Sequence, residues 1–334
     1  LDKITARDAA ADGLKIWGVP TSSTRTFLAW ADRRPECAAF VKTSLHSPIF
    51  GDRHLRTWQV ARSVGLSAMV HSEPKLPADL QFFPESLGCV VRQRPELGFI
   101  VRFIPESVRT NRLTVAPLFA LMGGEQPLFL TLMEQARLRP LEFIEEVLCS
   151  KFARLWLNLS LRHGLILEAH AQDLMLAMTP DLRSVGDFYY RDFEGLQVDW
   201  DLRRRHGLSA PANLPNSSQW YQTYATWGYR YGQLVWYKLR VSLLQYLHWV
   251  LKELEQMLRI WQARGLMGGS RLDDDALTAM FSRKMLGLIH ELFAMRATAD
   301  YNIHRNLNRF LLLLLNVRKA MSARAKSAFA VRNR

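Results

Sequence analysis

LILEAHAQDLMLAM, residues 165–178, and DFYYRDFEG, residues 187–195, are the two segments on which the fold turns. The first alternates with period two. In an extended chain Glu168, His170 and Gln172 point to one face and the aliphatic residues between them to the other. Three polar groups in an apolar strand are costly to bury without partners. Taken alone, the segment also reads as an edge strand with one wet face. The second segment changes the balance. Thr179, Pro180 and Asp181 supply a turn, so the two stretches can pair as an antiparallel hairpin or as a loosely connected strand pair. That pairing brings Asp192 near Gln172 and Asp173.

Working outward, residues 141–163 carry apolar side chains at helical spacing: Ile144, Val147, Leu148, Phe152, Leu155 and Leu159. Gly164 follows as a helix C-cap. Upstream lie strand-like runs at 37–45, 88–92 and 97–103, punctuated by Pro74, Pro77, Pro84, Pro95 and Pro105. Downstream, residues 236–264 read as a long helix, and 276–295 and 302–320 as the last two. The acidic run 273–275 suits a helix start better than a metal site. The fold class is therefore α+β. A mixed region, 1–138, precedes a mostly helical one, 139–334, that contains the hairpin.

Composition bounds the function classes. With 334 residues, 49% hydrophobic and 22% charged, the chain can bury a substantial core and is not of the disordered type. The apolar run 310–315 is far too short for a membrane span. No secretory signal is visible, and Cys37, Cys89 and Cys149 lack any CxxC pairing. This points to a reducing cytoplasm, with the three thiols as packing residues. The net charge of +13 comes without zinc-finger spacing or an RNA-binding aromatic signature. The excess, part of it in a basic C-terminal tail, suits nucleotide phosphates and carboxylates rather than nucleic acid.

Carboxylates and an amide converging at strand ends, as Asp173, Asp192 and Gln172 would, suit Mg²⁺, which shares its coordination with phosphates. Arg191 beside them can sit on a phosphate or hold a carboxylate. Near the N-terminus, PTSSTRT (20–26) places Ser23, Arg25 and Thr26 within four residues, a hydroxyl and guanidinium set able to bind phosphate oxygens. Lys42 follows amid apolar neighbours, where it needs an anionic partner. Arg53 and Arg56 come next in GDRHLRT.

These pieces, in this order, resemble the NRPS-independent siderophore synthetases of the aerobactin-synthetase-like (IucA/IucC) family. The family's S-x-R-T motif matches Ser23, Arg25 and Thr26. Its following lysine and arginine match Lys42 and either Arg53 or Arg56. Its E-x-H-x-Q-N motif matches Glu168, His170 and Gln172, with Asp173 where the family usually has Asn. Its R-D motif matches Arg191 and Asp192. The family's HPxHPxxK motif is absent. With only 22 residues before Ser23 and a start at Leu1, the expectation is a C-terminal piece of a longer protein.

The resemblance implies a hand-like architecture, with 1–138 forming a fingers-like region and 139–334 a palm. It implies ATP held by Ser23, Arg25, Thr26, Lys42, His170, Gln172 and Asp192, and Mg²⁺ held by Glu168, Asp173 and Asp192. It gives His170 and Arg53 or Arg56 the substrate side of catalysis, with Arg191 in support. The implied reaction is adenylation of citrate or a related polycarboxylate, then condensation with an amine or hydroxyl and release of AMP and pyrophosphate. The family often forms homodimers. Two alternatives stand beside it. HAQD followed by RDFEG is similar to the catalytic and metal-binding segments of small-molecule kinases, although the usual Asn and a glycine-rich loop are missing. A non-catalytic nucleotide or interaction protein of the same fold is the other. A zinc hydrolase is disfavoured, since His163 and His170 lack a third ligand at sensible spacing.

Overall fold

The computed structural model describes residues 16–209, apart from 22, 33, 46–54, 56, 123–127, 139, 169–170 and 183–184. The helices expected at 236–264, 276–295 and 302–320, and the basic tail, lie outside the described residues. So do His170, Arg53 and Arg56.

Three strands open the described chain: β1 (Ile16–Pro20), β2 (Thr26–Ala31) and β3 (Arg34–Thr43). Helix α1 (Thr57–His71) follows, then β4 (Leu80–Phe82), β5 (Glu85–Val91) and β6 (Arg94–Phe103). Next come the single-turn α2 (Glu106–Arg109), β7 (Thr114–Pro117), a 3₁₀ turn (Leu118–Met122) and α3 (Leu128–Ala136). A helical stretch runs through α4 (Pro140–Phe143), a π segment (Ile144–Ser150) and α5 (Lys151–His163). The last elements are β8 (Leu165–Ile166), β9 (Leu174–Met178), β10 (Val185–Tyr190), β11 (Gln197–Val198) and α6 (Trp200–Arg205).

Two sheets organise these elements. The first is antiparallel, in the order β1-β2-β3-β6-β5. The second has the order β4-β10-β9-β7, with only the β4/β10 pair parallel. It draws strands from both sides of residue 138. Every residue of β9 is buried, as expected of a central strand. A core of Phe83, Met175, Ala177 and Tyr189 packs with Phe40 of the first sheet and with Ile104, Val108, Leu113 and Val115. Phe152 of α5 meets Phe188 of β10 edge-on at 5.4 Å between ring centroids.

The β9–β10 hairpin forms as the sequence suggests, with Leu174 opposite Tyr190 and Met178 opposite Val185. The segment before it does not. Residues 165–178 are not one extended strand: β8 ends at Ile166, and residues 171–173 form a turn before β9. The physical reason is the polar residues themselves. A strand buried on both faces has no room for Glu168 and Gln172, so they leave the ladder. The helix at 141–163 is also interrupted, by the π segment, a feature that periodicity does not register. Gly164 caps α5 in the left-handed conformation (φ 63°). Cys37 and Cys89 are exposed rather than packed, Cys37 because the first four residues of β3 are all uncovered.

Helix α1 lies against β5 at closest approach over Gly88. A β-carbon there would fall 2.4 Å from Val60 Cγ1 and 3.3 Å from Phe99 O. Val60 is β-branched, stiff and buried. Gly88→Ala is therefore expected to destabilise the fold by about 1–3 kcal/mol, read as a lowered Tm. Adding Val60→Ala should recover part of the loss.

Candidate active site

The site grows from β3. Its residue Lys42 is paired with Thr26 of β2, so the residues of the 20–26 turn end up beside the lysine. The turn is internally tied. Thr21 Oγ1 donates to Thr26 O (2.8 Å), Ser23 N donates to Thr21 Oγ1 (3.1 Å), and Thr26 Oγ1 donates to Ser23 Oγ (3.1 Å). These bonds hold the two hydroxyls and Arg25 in a fixed arrangement without a glycine-rich loop.

Lys42 is buried, 6% exposed, and its ammonium donates to both Asp192 oxygens (3.1 and 2.9 Å) and to Glu194 Oε2 (3.1 Å). Arg25 approaches Glu194 at 3.8 Å. Burial alone would lower the Lys42 pKa. The charges of Asp192, Glu194 and Glu85 outweigh it and raise the pKa. For Asp192, burial alone would raise the pKa, but Lys42, Arg102 and Arg25 hold it well below the usual carboxylate range. Asp192 adopts a left-handed backbone conformation (φ 77°), uncommon for a residue with a side chain.

Asp173 sits at the start of β9. Its main-chain carbonyl accepts from Arg191 N (3.0 Å), which registers the Arg191–Asp192 pair against the Gln172–Asp173 pair. The Arg191 guanidinium donates twice to Gln172 O (3.1 and 2.8 Å) and lies 3.7 Å from Asp173 Oδ1. Asp173 is pushed up to about 7, by burial first and by the charge of Asp192 second, against the pull of Arg191, Arg102 and Lys42.

A cleft of about 350 Å³ joins these groups, lined by Ser23, Thr24, Arg25, Thr26, Lys42, Arg102, Gln172, Asp173, Arg191 and Asp192. Residues from both ends of the described chain thus meet in one place. Glu168 is not in the lining. It packs over Gly195, where a β-carbon would fall 2.5 Å from its Oε2. Among the described residues no group of three or more His, Cys, Asp or Glu side chains is placed to hold a metal, and no helix is long and apolar enough to cross a membrane.

Four participants were not legible beforehand. Arg102 of β6 reaches the cleft while donating to Glu85 Oε1 from Nε (2.9 Å) and Nη2 (2.5 Å). Gln59 and Arg62 of α1, and Glu194 itself, hold the turn after β10. The one sequence signal was isolated charge inside apolar runs, as at Arg102 in FIVRF.

Two solved structures share this arrangement of elements. Aerobactin synthetase IucA from a hypervirulent pathotype of Klebsiella pneumoniae matches with TM-score 0.51 at 16% identity, over 82% of this chain and 47% of its own. The fold is that of the aerobactin synthetases. IucC from the same pathotype agrees, with TM-score 0.52 at 15% identity, over 84% of this chain and 47% of its own. The chain spans about half the length of these synthetases. No protein-family model and no curated protein matches the sequence. Arg25, Lys42, Arg102 and Arg191 thus meet in one cleft where the two sheets come together.

The raised Asp173 carboxyl has a consequence for stability. Its folded-state pKa lies above its unfolded value, so the folded state binds the extra proton. Stability is fully present at low pH and is lost as pH rises from about 4 towards 7. Asp173→Asn is expected to raise Tm at pH 8 and leave it nearly unchanged at pH 4, measured by calorimetry with a chelator present.

Proposed function

We propose that the chain is the nucleotide-binding part of an ATP-dependent carboxylate ligase. In this reading it adenylates citrate or a related polycarboxylate and condenses it with an amine or hydroxyl, in siderophore biosynthesis. The fold likeness supports the ligase class, and one geometric observation supports ATP. A second cavity, about 440 Å³, adjoins the cleft and is lined by Phe40, Phe83, Ile104, Val108, Leu113 and Met175 among others, with Arg191 common to both. Along β3, Phe40 serves the second space and Lys42 the first, two residues apart, and the pairs Arg102/Ile104 and Asp173/Met175 do the same across the ends of β6 and β9. Residues i and i+2 share a strand face about 7 Å apart. The result is an aromatic and aliphatic pocket beside a cationic cleft, the layout of a base next to its phosphates.

In this reading Ser23, Arg25, Thr26 and Lys42 take the phosphates, and Phe40, Phe83 and Met175 enclose the base. Asp173 and Asp192 fit Mg²⁺. They are close enough for Asp192 to push Asp173 up, a repulsion that a cation between them would relieve. When bound, the ion would supply charge neutralisation on the phosphates. The chain's own contribution is positioning and electrostatics. A substrate carboxylate oxygen attacks the α-phosphorus, the bond to the β-phosphate bridge breaks and pyrophosphate leaves. An amine or hydroxyl then attacks the acyl carbon and AMP departs. His170 and Arg53 or Arg56 are assigned to the substrate side by resemblance. The fingers and palm division at 138, a homodimer and a cytoplasmic location belong to the same proposal.

The kinase-like alternative draws on a strand lysine, Lys42, and an aspartate, Asp192, brought into one cleft, the residue types that a kinase uses for phosphates and metal. Products separate the two: AMP and pyrophosphate for the ligase, ADP for the kinase. Binding is the first test. Calorimetry of the full chain with ATP and Mg²⁺ should show saturable binding. Lys42→Met should abolish it, and Arg25→Met, which removes only a long ion pair, should weaken it about tenfold. An unaltered chain that does not bind ATP with Mg²⁺ would overturn the reading.

A further inference from the structure

Helix α1 contributes two polar side chains, one turn apart, to the turn at 192–196. Gln59 Nε2 donates to Glu194 Oε1 at 2.5 Å. Arg62 donates from Nη1 to Glu194 O at 2.6 Å and from Nη2 to Leu196 O. Arg62 is only 5% exposed. Burial lowers its pKa to about 10, against the favourable charges of Glu194, Tyr190 and Asp192. A buried guanidinium directed at two main-chain carbonyls is an expensive way to tie a surface turn. It is an effective way to tie this one. The fork spans carbonyls two residues apart, a reach a lysine ammonium lacks.

The turn needs such support. Asp192 begins it at φ 77°, a conformation that persists only where the surroundings over-determine it. Within the turn, Gly195 N donates to Asp192 O (3.1 Å) and Leu196 N to Phe193 O (3.2 Å). From the sheet side, Lys42 binds both Asp192 and Glu194. Tyr190 Oη donates to Asp192 O (3.3 Å) and Phe193 stacks on Phe82, while Gln59 and Arg62 hold Glu194 and Leu196 from the α1 side. Gln59 and Arg62 do not line the cleft.

We propose that Gln59 and Arg62 are positioning residues: from α1 they lock the 192–196 turn so that Asp192 keeps its left-handed backbone and presents its carboxylate to Lys42 and the cleft. Helix α1 is then the element through which the site is assembled. The functional half of this inference rests on the nucleotide reading above; the structural half does not.

Hydrogen exchange on the full chain tests the structural half. Arg62→Ala should speed exchange of the 193–198 amides about tenfold or more, leaving α5 protected. Added guanidinium ion should slow it again, while sodium chloride at equal ionic strength should not. Arg62→Lys should be intermediate. ATP binding with Mg²⁺ should weaken about tenfold in Arg62→Ala and recover with guanidinium. If Arg62→Ala does not fold, Gln59→Leu, which removes the bond to Glu194, carries the same comparison with a smaller effect. Wild-type exchange in the turn of the variant overturns the lock. A loosened turn with unchanged nucleotide binding overturns the positioning role. Failure of the unaltered chain to bind ATP withdraws the nucleotide reading, and the exchange result still decides the lock.

Discussion

The ammonium of Lys42, buried between the carboxylates of Asp192 and Glu194, is the interaction on which the rest of the described structure depends. It joins residues 150 and 152 positions apart and ties the first sheet to the hairpin of the second. Removing one member of such a set leaves an uncompensated buried charge, at a cost of roughly 3–5 kcal/mol. The sheets could pack through Phe40, Phe83 and Met175 alone. What the ionic cluster adds is register. With Lys42 opposite Thr26 and bonded to Asp192, the 20–26 turn and the 171–173 turn come to one cleft.

Charge distribution follows from the same constraint. Four cations and two carboxylates line the cleft, and Glu194 and Glu85 just behind the lining pair with Lys42, Arg25 and Arg102, so the site is charge-matched rather than bare. Arg102 reaches the cleft while Glu85, behind it, offsets the cost of its burial. The carboxylates are treated unequally. Asp192 touches Lys42 and stays ionised, whereas Asp173 is pushed up by burial first and by the charge of Asp192 second. A departure from the resembled family, Asp where Asn is usual, thus becomes a local electrostatic tension in the fold.

Much of this was legible in the residues. The hairpin followed from two apolar stretches around a Thr-Pro-Asp turn, and the convergence of Asp192 on Asp173 followed from the hairpin. Lys42 demanded an anion because its neighbours are apolar. Gly164 was visible as a cap because only glycine takes that conformation without cost. Period-two reasoning failed over 165–172, since alternation describes a half-buried strand and β9 is buried on both faces. The π segment was invisible because a single widened helical turn barely alters the apolar spacing. Exposed Cys37 and Cys89 went against the general tendency of free thiols, since which face of a strand is covered depends on what packs there.

The amino-acid sequence by itself determined the α+β class, the central hairpin, the pairing of its polar ends and the need for counter-charge around Lys42. These depend on local propensity, side-chain period and the cost of burying charge, all properties of short segments. Only the tertiary structure decided which charges meet. Glu194 rather than Glu168 joins Lys42, Arg102 enters the cleft from another strand, and α1 grips the turn through Gln59 and Arg62. Those choices are set by the register between β3 and β6 and by the close approach of α1 over Gly88. Both are distances between segments far apart in the chain, and no local pattern encodes them.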